Sequence, residues 1–226
     1  MINRETTTTN WLSNLLFIAT KFYQFRQLLK NYLINSNSNA VIKQHDLPNN
    51  FILAVNRLID LDLNDLYKQG IRILILDYDG VLTAHGEIEP SSEVIEWLQQ
   101  AVAMFGSQKI FILSNNPLQS RAEFFTEFFT KKIIFINKEF LSRPKPYPDG
   151  VQVVLRDVGV DGTMITKSQV LLVDDRLSSG ILAAEICGIS GCLVKKPYTN
   201  LKKHFILEWW FIFIRKLEKL ILWHLW

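Results

Sequence analysis

The stretch that most constrains this chain is Ile71 to Thr83, Ile-Arg-Ile-Leu-Ile-Leu-Asp-Tyr-Asp-Gly-Val-Leu-Thr. Ile and Leu without alternation read as a central strand covered on both faces, the pattern of a parallel sheet. The run ends in two carboxylates two residues apart. Neither belongs in a strand core, because an unpaired buried charge is costly or is neutralised by protonation. Open parallel sheets carry their chemistry just past the carboxyl ends of their strands. Asp77 and Asp79 stand at that spot, so the rest of the chain is read for the other walls of a site.

Further strands follow at Lys109–Leu113, Ile133–Ile136, Gln169–Val173 and Cys192–Val194. Helices fall between them: Pro90 to Phe105 with Gly106 as its stop, Pro117 to about Thr130, Pro148 to about Val158, and Ser178 to Cys187 with Gly188 past its end. Arg143 to Pro148 is proline-rich and extended. Ahead of the first strand, Pro48 opens a short helix, a second follows near Asn64, and Gly70 closes the segment. Strand and helix alternate five times with short links. That predicts an α/β, doubly wound, Rossmann-like parallel sheet of about five strands.

Two appendages flank this domain, giving divisions at 1–40, 41–200 and 201–226. Trp11 to Ile34 spaces Leu, Ile and Phe at helical intervals among Lys21, Arg26 and Lys30, an amphipathic helix, and Asn35 to Asn39 is a polar linker. Phe205 to Trp226 is rich in Trp and Phe with Arg215, Lys216 and Lys219 inside it, and Lys195, Lys196, Lys202 and Lys203 precede it. It is too charged to span a bilayer and well composed to lie in an interface, or to pack on the domain or a partner subunit. No segment reaches the roughly 18 uncharged apolar residues of a spanning helix. Arg4 and Glu5, with no small-residue cleavage site after an apolar core, do not read as a secretory signal.

The net charge of +3 argues against a dedicated nucleic-acid binder. Cys187 and Cys192 fit no usual zinc spacing and read as buried thiols in a reducing, cytoplasmic setting. At the strand ends stand Asp77 and Asp79, Ser114 with Asn115 and Asn116, and Asp174 with Asp175, and Lys145 lies in the loop before the next helix. A doubly wound sheet makes these neighbours in space. Acidic groups, a hydroxyl, backbone amides and one lysine describe a magnesium-and-phosphate pocket. His85 reads as a loop residue.

The motifs resemble those of the haloacid dehalogenase superfamily of phosphotransferases. Asp-Tyr-Asp-Gly-Val-Leu-Thr matches its first, Phe-Ile-Leu-Ser-Asn at 111–115 its second, Arg-Pro-Lys-Pro at 143–146 its third, and Leu-Leu-Val-Asp-Asp at 171–175 its fourth. They occur in family order over about residues 70–195. The resemblance implies Mg²⁺-dependent phosphomonoester hydrolysis through an aspartyl-phosphate. Asp77 would be nucleophile and metal ligand. Asp79 would be general acid/base, its backbone carbonyl on the metal. Ser114 and Asn115 would bind the phosphoryl group, Lys145 would orient it, and Asp174 would hold Mg²⁺. Where relatives often carry a second acid in the fourth motif, this chain has Ser178 and Ser179. The links leave no room for a cap domain. The nearer resemblance is to the phosphatidylglycerophosphate phosphatase branch, in Gly70-Ile71-Arg72 before the first motif, Ser-Asn-Asn in the second, and the basic aromatic tail with Arg215. That branch usually has Asn where Gly80 stands. This implies a phospholipid monoester met at the inner face of a membrane. A soluble small-molecule or protein phosphatase, and a non-catalytic scaffold of the same fold, are the alternatives.

Overall fold

A computed structural model describes residues 51–116, 118–128, 134–135, 143–159 and 165–224, all within the compact unit Ile42–Leu225. The readings made on residues 1–50, the amphipathic helix and linker among them, lie outside the described residues.

The described residues form a parallel sheet of six strands: β1 (Ile52–Val55), β2 (Ile73–Leu76), β3 (Ile110–Ile112), β4 (Ile134–Phe135), β5 (Val170–Asp174) and β6 (Ser190–Val194). The spatial order is β1-β6-β5-β2-β3-β4, with every neighbouring pair parallel. The helices are α1 (Leu63–Lys68), α2 (Ser92–Phe105), α3 (Gln119–Phe128), α4 (Asp149–Asp157), α5 (Leu182–Cys187) and α6 (Phe205–His224). The doubly wound α/β class is thus as the alternation of strand and helix predicts.

One element differs. Where the sequence predicts a short helix after Pro48, Ile52–Val55 forms strand β1, in register with Gly191–Val194 of β6. Without β1 the far side of β6 would expose unpaired backbone groups. A non-local pairing partner therefore decides the conformation of four residues whose local signal is weak.

The two-sided burial of β2 accords with its lack of alternation. Leu74 and Leu76 point into one apolar cluster, with Val94, Trp97 and Leu98 of α2 and Phe125 of α3. Ile73 and Ile75 point into another, with Val151 and Val154 of α4 and Ala183 and Ala184 of α5. The core positions of α2 recur every three or four residues, and Gly106, at φ +88°, ends the helix. Both cysteines are buried and free, and burial pushes both thiols up to about 12.

This order puts a topological switch at β2. The chain runs outward through β3 and β4, then returns to β5 on the other side of β2. Leu76 is in register with Val173 and with Ile112. Asp77, Asp174 and the Leu113-Ser114 pair therefore leave the sheet at one level. The Asp77 amide donates to the Val173 carbonyl at 2.9 Å, and the Leu113 amide to that of Leu76 at 2.9 Å.

Ile75 is fully buried in the central strand, so Ile75→Ala leaves a cavity that close packing fills poorly. The expected loss is about 2–5 kcal/mol, read as a lower urea midpoint with an unchanged slope.

Candidate active site

The turn after β2 divides its side chains. Tyr78 enters the core while Asp77 and Asp79 line a cleft. Gly80 makes this possible twice over. It sits at φ +86°, and a Cβ there would stand 2.6 Å from Asp175 Oδ2. The residue that departs from the nearer branch is thus one whose missing side chain admits Asp175.

Lys145 joins the two strand ends. Its Nζ lies 2.8 Å from Asp77 Oδ1 and 2.6 Å from Asp174 Oδ2. All three groups are buried. Burial disfavours the Lys145 charge, but the carboxylates of Asp174 and Asp77 outweigh it and carry its pKa above the ordinary lysine value. Burial raises Asp77 well above the usual carboxylate range; Lys145 pulls it down, and Asp174 and Asp175 push it further up. Asn115 holds the lysine loop: its Oδ1 accepts the Lys145 amide at 2.8 Å and its Nδ2 donates to the Lys145 carbonyl at 3.1 Å. Much of the Asn115 side chain is therefore committed to positioning Lys145. Ser114 Oγ accepts the Asn116 amide at 3.0 Å and lines the cleft.

Asp174 and Asp175 face different supports. The Arg176 amide donates to Asp174 Oδ1 at 2.8 Å, and a Cβ on Gly180 would stand 2.1 Å from Asp174 Oδ2. Arg215 Nε of α6 donates to Asp175 Oδ2 at 2.6 Å, while Asp175 Oδ1 is buried with no hydrogen-bond partner among the described residues. Oxygens of Asp77, Asp174 and Asp175 all lie within 4.8 Å of one another. An all-carboxylate donor set with an orphaned buried oxygen suits a hard divalent cation. The carboxylate cluster includes Asp175 beside Asp77 and Asp174, and the backbone carbonyl expected of Asp79 is not among these carboxylate donors.

The Asp79 carboxylate is held by Arg121 of α3. Nη1 donates to Oδ2 at 2.9 Å and Nη2 to Oδ1 at 2.6 Å, a bidentate pair. Arg121 is itself fixed by the Glu87 and Asn116 carbonyls and lies over the Tyr78 ring, 4.2 Å from its centroid. No sequence signal marks Arg121, an isolated cation in an ordinary helix.

His85 lies in a turn, as the sequence suggests, and is buried in the cleft wall. Its ring stacks on Phe211 at 3.8 Å between centroids, and its backbone amide donates to Glu208 Oε1 at 3.0 Å. Glu208 Oε2 lies 3.3 Å from His85 Nδ1. Burial pushes the imidazole pKa down against the pull of Asp79 and Glu208. Arg176 lines the cleft and donates to Glu218 at 3.2 and 3.0 Å, and Ser178 donates to the same carboxylate. Glu208, Phe211, Arg215 and Glu218 all come from α6. Their spacing places them on one helical face, a signal legible in the sequence.

Acid groups at a topological switch, a lysine bridging them and a hydroxyl beside them define a hydrolase of the phosphatase type. The chain belongs to the haloacid dehalogenase-like hydrolases, whose family pattern matches residues 17–188. Asp77, Asp79, Ser114, Lys145 and Asp174 lie inside that match, and α6 lies beyond it. No curated protein matches the chain. Among solved structures, an uncharacterized protein from Listeria monocytogenes serotype 4b is similar over 59% of this chain and 84% of its own, at 17% identity and a TM-score of 0.44. An uncharacterized protein from Corynebacterium glutamicum ATCC 13032 is similar over 61% and 91%, at 19% identity and a TM-score of 0.40.

Burial raises Asp175 to about 7; Arg215 pulls it down and Asp174 pushes it up. In an unfolded chain an aspartate titrates near pH ~4. The folded state therefore keeps this proton where the unfolded state has lost it. The stability it contributes is complete below the unfolded value and is lost as pH rises through about 7. For the metal-free protein, urea midpoints measured across that window should fall more steeply in the wild type than in Asp175→Asn. Parallel slopes would contradict this.

Proposed function

We propose that the protein is a Mg²⁺-dependent phosphomonoesterase that works through an aspartyl-phosphate on a phospholipid monoester, phosphatidylglycerophosphate. The observation that carries the reading is Lys145 bridging Asp77 and Asp174, with the orphaned Asp175 oxygen beside them.

The roles rest on position. Asp77 is the carboxylate at the strand end with an oxygen on Lys145, so its attack on phosphorus occurs beside a fixed cation. The bond from phosphorus to the leaving oxygen breaks as the new one to Asp77 forms. Asp79 gives that leaving oxygen a proton, and later takes one from the water that releases inorganic phosphate from Asp77. Arg121 fixes where Asp79 stands, and proton delivery requires one of its oxygens to leave the guanidinium. Ser114 with the neighbouring backbone amides, and Lys145, take the negative charge spread over the transferring oxygens. Asp77, Asp174 and Asp175, with the backbone carbonyl of Asp79, would hold Mg²⁺, which when bound supplies neutralising charge to the phosphoryl oxygens.

Three features support a lipid as the substrate. The motif details resemble the phosphatidylglycerophosphate branch, the cleft is bordered by an aromatic helix, and that helix leaves large apolar side chains in solvent.

Hydrolysis of a small aryl phosphate should need Mg²⁺, stop on chelation and return when the ion is restored. Asp77→Asn should lower kcat by at least ~10³-fold with the fold intact by circular dichroism. Wild-type chain that never releases phosphate from any monoester would count against the reading. For the substrate, kcat/KM on phosphatidylglycerophosphate should exceed that on soluble sugar and nucleotide monophosphates at least tenfold (about 1.4 kcal/mol). A reversed preference points to a soluble substrate.

A further inference from the structure

Helix α6 is inside out. At about 100° per residue, Ile206, Trp209, Trp210, Phe213, Leu217 and Leu220 lie within about 60° of one direction. Glu208, Phe211, Arg215 and Glu218 lie within about 60° of the opposite one. An ordinary surface helix turns its apolar stripe inward. Here the inward side carries the ions, each with a partner in the domain: Glu208 on the His85 and Asn200 amides, Arg215 on Asp175, and Glu218 on Arg176 and Ser178. Among the described residues the outward side is uncovered, with Ile206 85%, Trp209 59% and Trp210 58% exposed. The Trp209 ring lies parallel to that of Phe213, 6.5 Å between centroids.

We propose that this outward stripe seats on an anionic lipid surface and holds the cleft beside it. The inference rests on the phospholipid reading above and adds which surface meets the lipid. Charge favours this occupant. Lys195, Lys196 and Lys202 are exposed just ahead of the helix, and exposed Lys216 borders the stripe. Adjacent tryptophans flanked by lysines are the composition of helices that lie in the headgroup layer. Among the described residues no helix is long and apolar enough to cross a membrane. The inward ion pairs tie α6 flat against the domain, so it meets a bilayer along its side. Phe211 lines the cleft from the far side of the same helix. The cleft wall at Phe211 therefore lies about one helix diameter from the seated stripe. That is within reach of a phosphate extending from a headgroup.

The test is sedimentation of the full chain with vesicles of phosphatidylcholine alone or mixed with phosphatidylglycerol. Wild type should pellet with the anionic vesicles and not with the neutral ones. The variant Trp209→Ser/Trp210→Ser/Phe213→Ser should bind at least tenfold more weakly and hydrolyse aryl phosphate at the wild-type rate, and its turnover of vesicle-borne substrate should fall. Lys202→Glu/Lys216→Glu, which leaves the apolar stripe intact, should weaken binding to anionic vesicles several-fold. A wild-type chain that stays in the supernatant, or a triple variant that pellets like wild type, overturns the proposal. So does a dimer seen by light scattering that the triple variant disperses while neither form pellets, because the stripe would then cover a second copy. Wild type that pellets as expected but releases no phosphate from any monoester supports the docking face and counts only against the phosphatase reading.

Discussion

The structure depends on one electrostatic constraint: more negative charge is gathered at the end of β2 and β5 than the fixed cations there balance. Asp77, Asp79, Asp174 and Asp175 meet Lys145, Arg121 and Arg215 in a largely buried space. Four carboxylates against three cations leave an excess of one. Buried charges of like sign raise one another's cost. The pairings distribute that cost unevenly. Asp79 is matched by a bidentate arginine, Asp175 by one nitrogen on one oxygen, and Asp77 shares a lysine with Asp174. The unbalanced part falls on Asp77 and the free oxygen of Asp175, a place where a divalent cation would relieve it.

The backbone is shaped to permit this crowding. Two glycines do it from opposite sides. Gly80 gives up the space that Asp175 Oδ2 fills, and Gly180 gives up the space that Asp174 Oδ2 fills. Gly180 stands in the wide π-helical turn Leu177–Ile181, just before α5 begins. A second acid at position 178 or 179 would bring a fifth carboxylate to a place already in excess. This chain has Ser178, which donates to Glu218, and Ser179, buried at the cleft.

How much of this is legible in the sequence depends on whether the cause is local. The unalternating run of β2, the glycines that close helices and the acids at strand ends are local statements. They point to the doubly wound sheet and bring Asp77, Asp79, Ser114 and Lys145 to one cleft, with Asp174 buried behind Lys145. The partners of those residues are not legible. Arg121 reaches Asp79 across 42 positions and Arg215 reaches Asp175 across 40, and no spacing rule connects them. β1 is missed for the same reason, because its pairing with β6 joins residues far apart in the chain. Asn115 illustrates a subtler limit. Its place beside Ser114 suggests a substrate contact, but its amide holds the Lys145 backbone, since two loops that meet at a switch point need a clasp.

The C-terminal helix joins these themes. Its aromatic residues suggest an appendage, and as an appendage it would be dispensable to the site. Its charges argue otherwise. A helix that spends Glu208, Arg215 and Glu218 on buried or half-buried partners cannot leave without stranding Asp175, which would then keep neither hydrogen-bonded oxygen. Because those ions share the inward face with Phe211, the large apolar residues Ile206, Trp209, Trp210 and Phe213 face outward. The exposed stripe is thus the geometrical counterpart of a helix whose charges face the domain, and the proposed lipid contact uses the side those charges leave open.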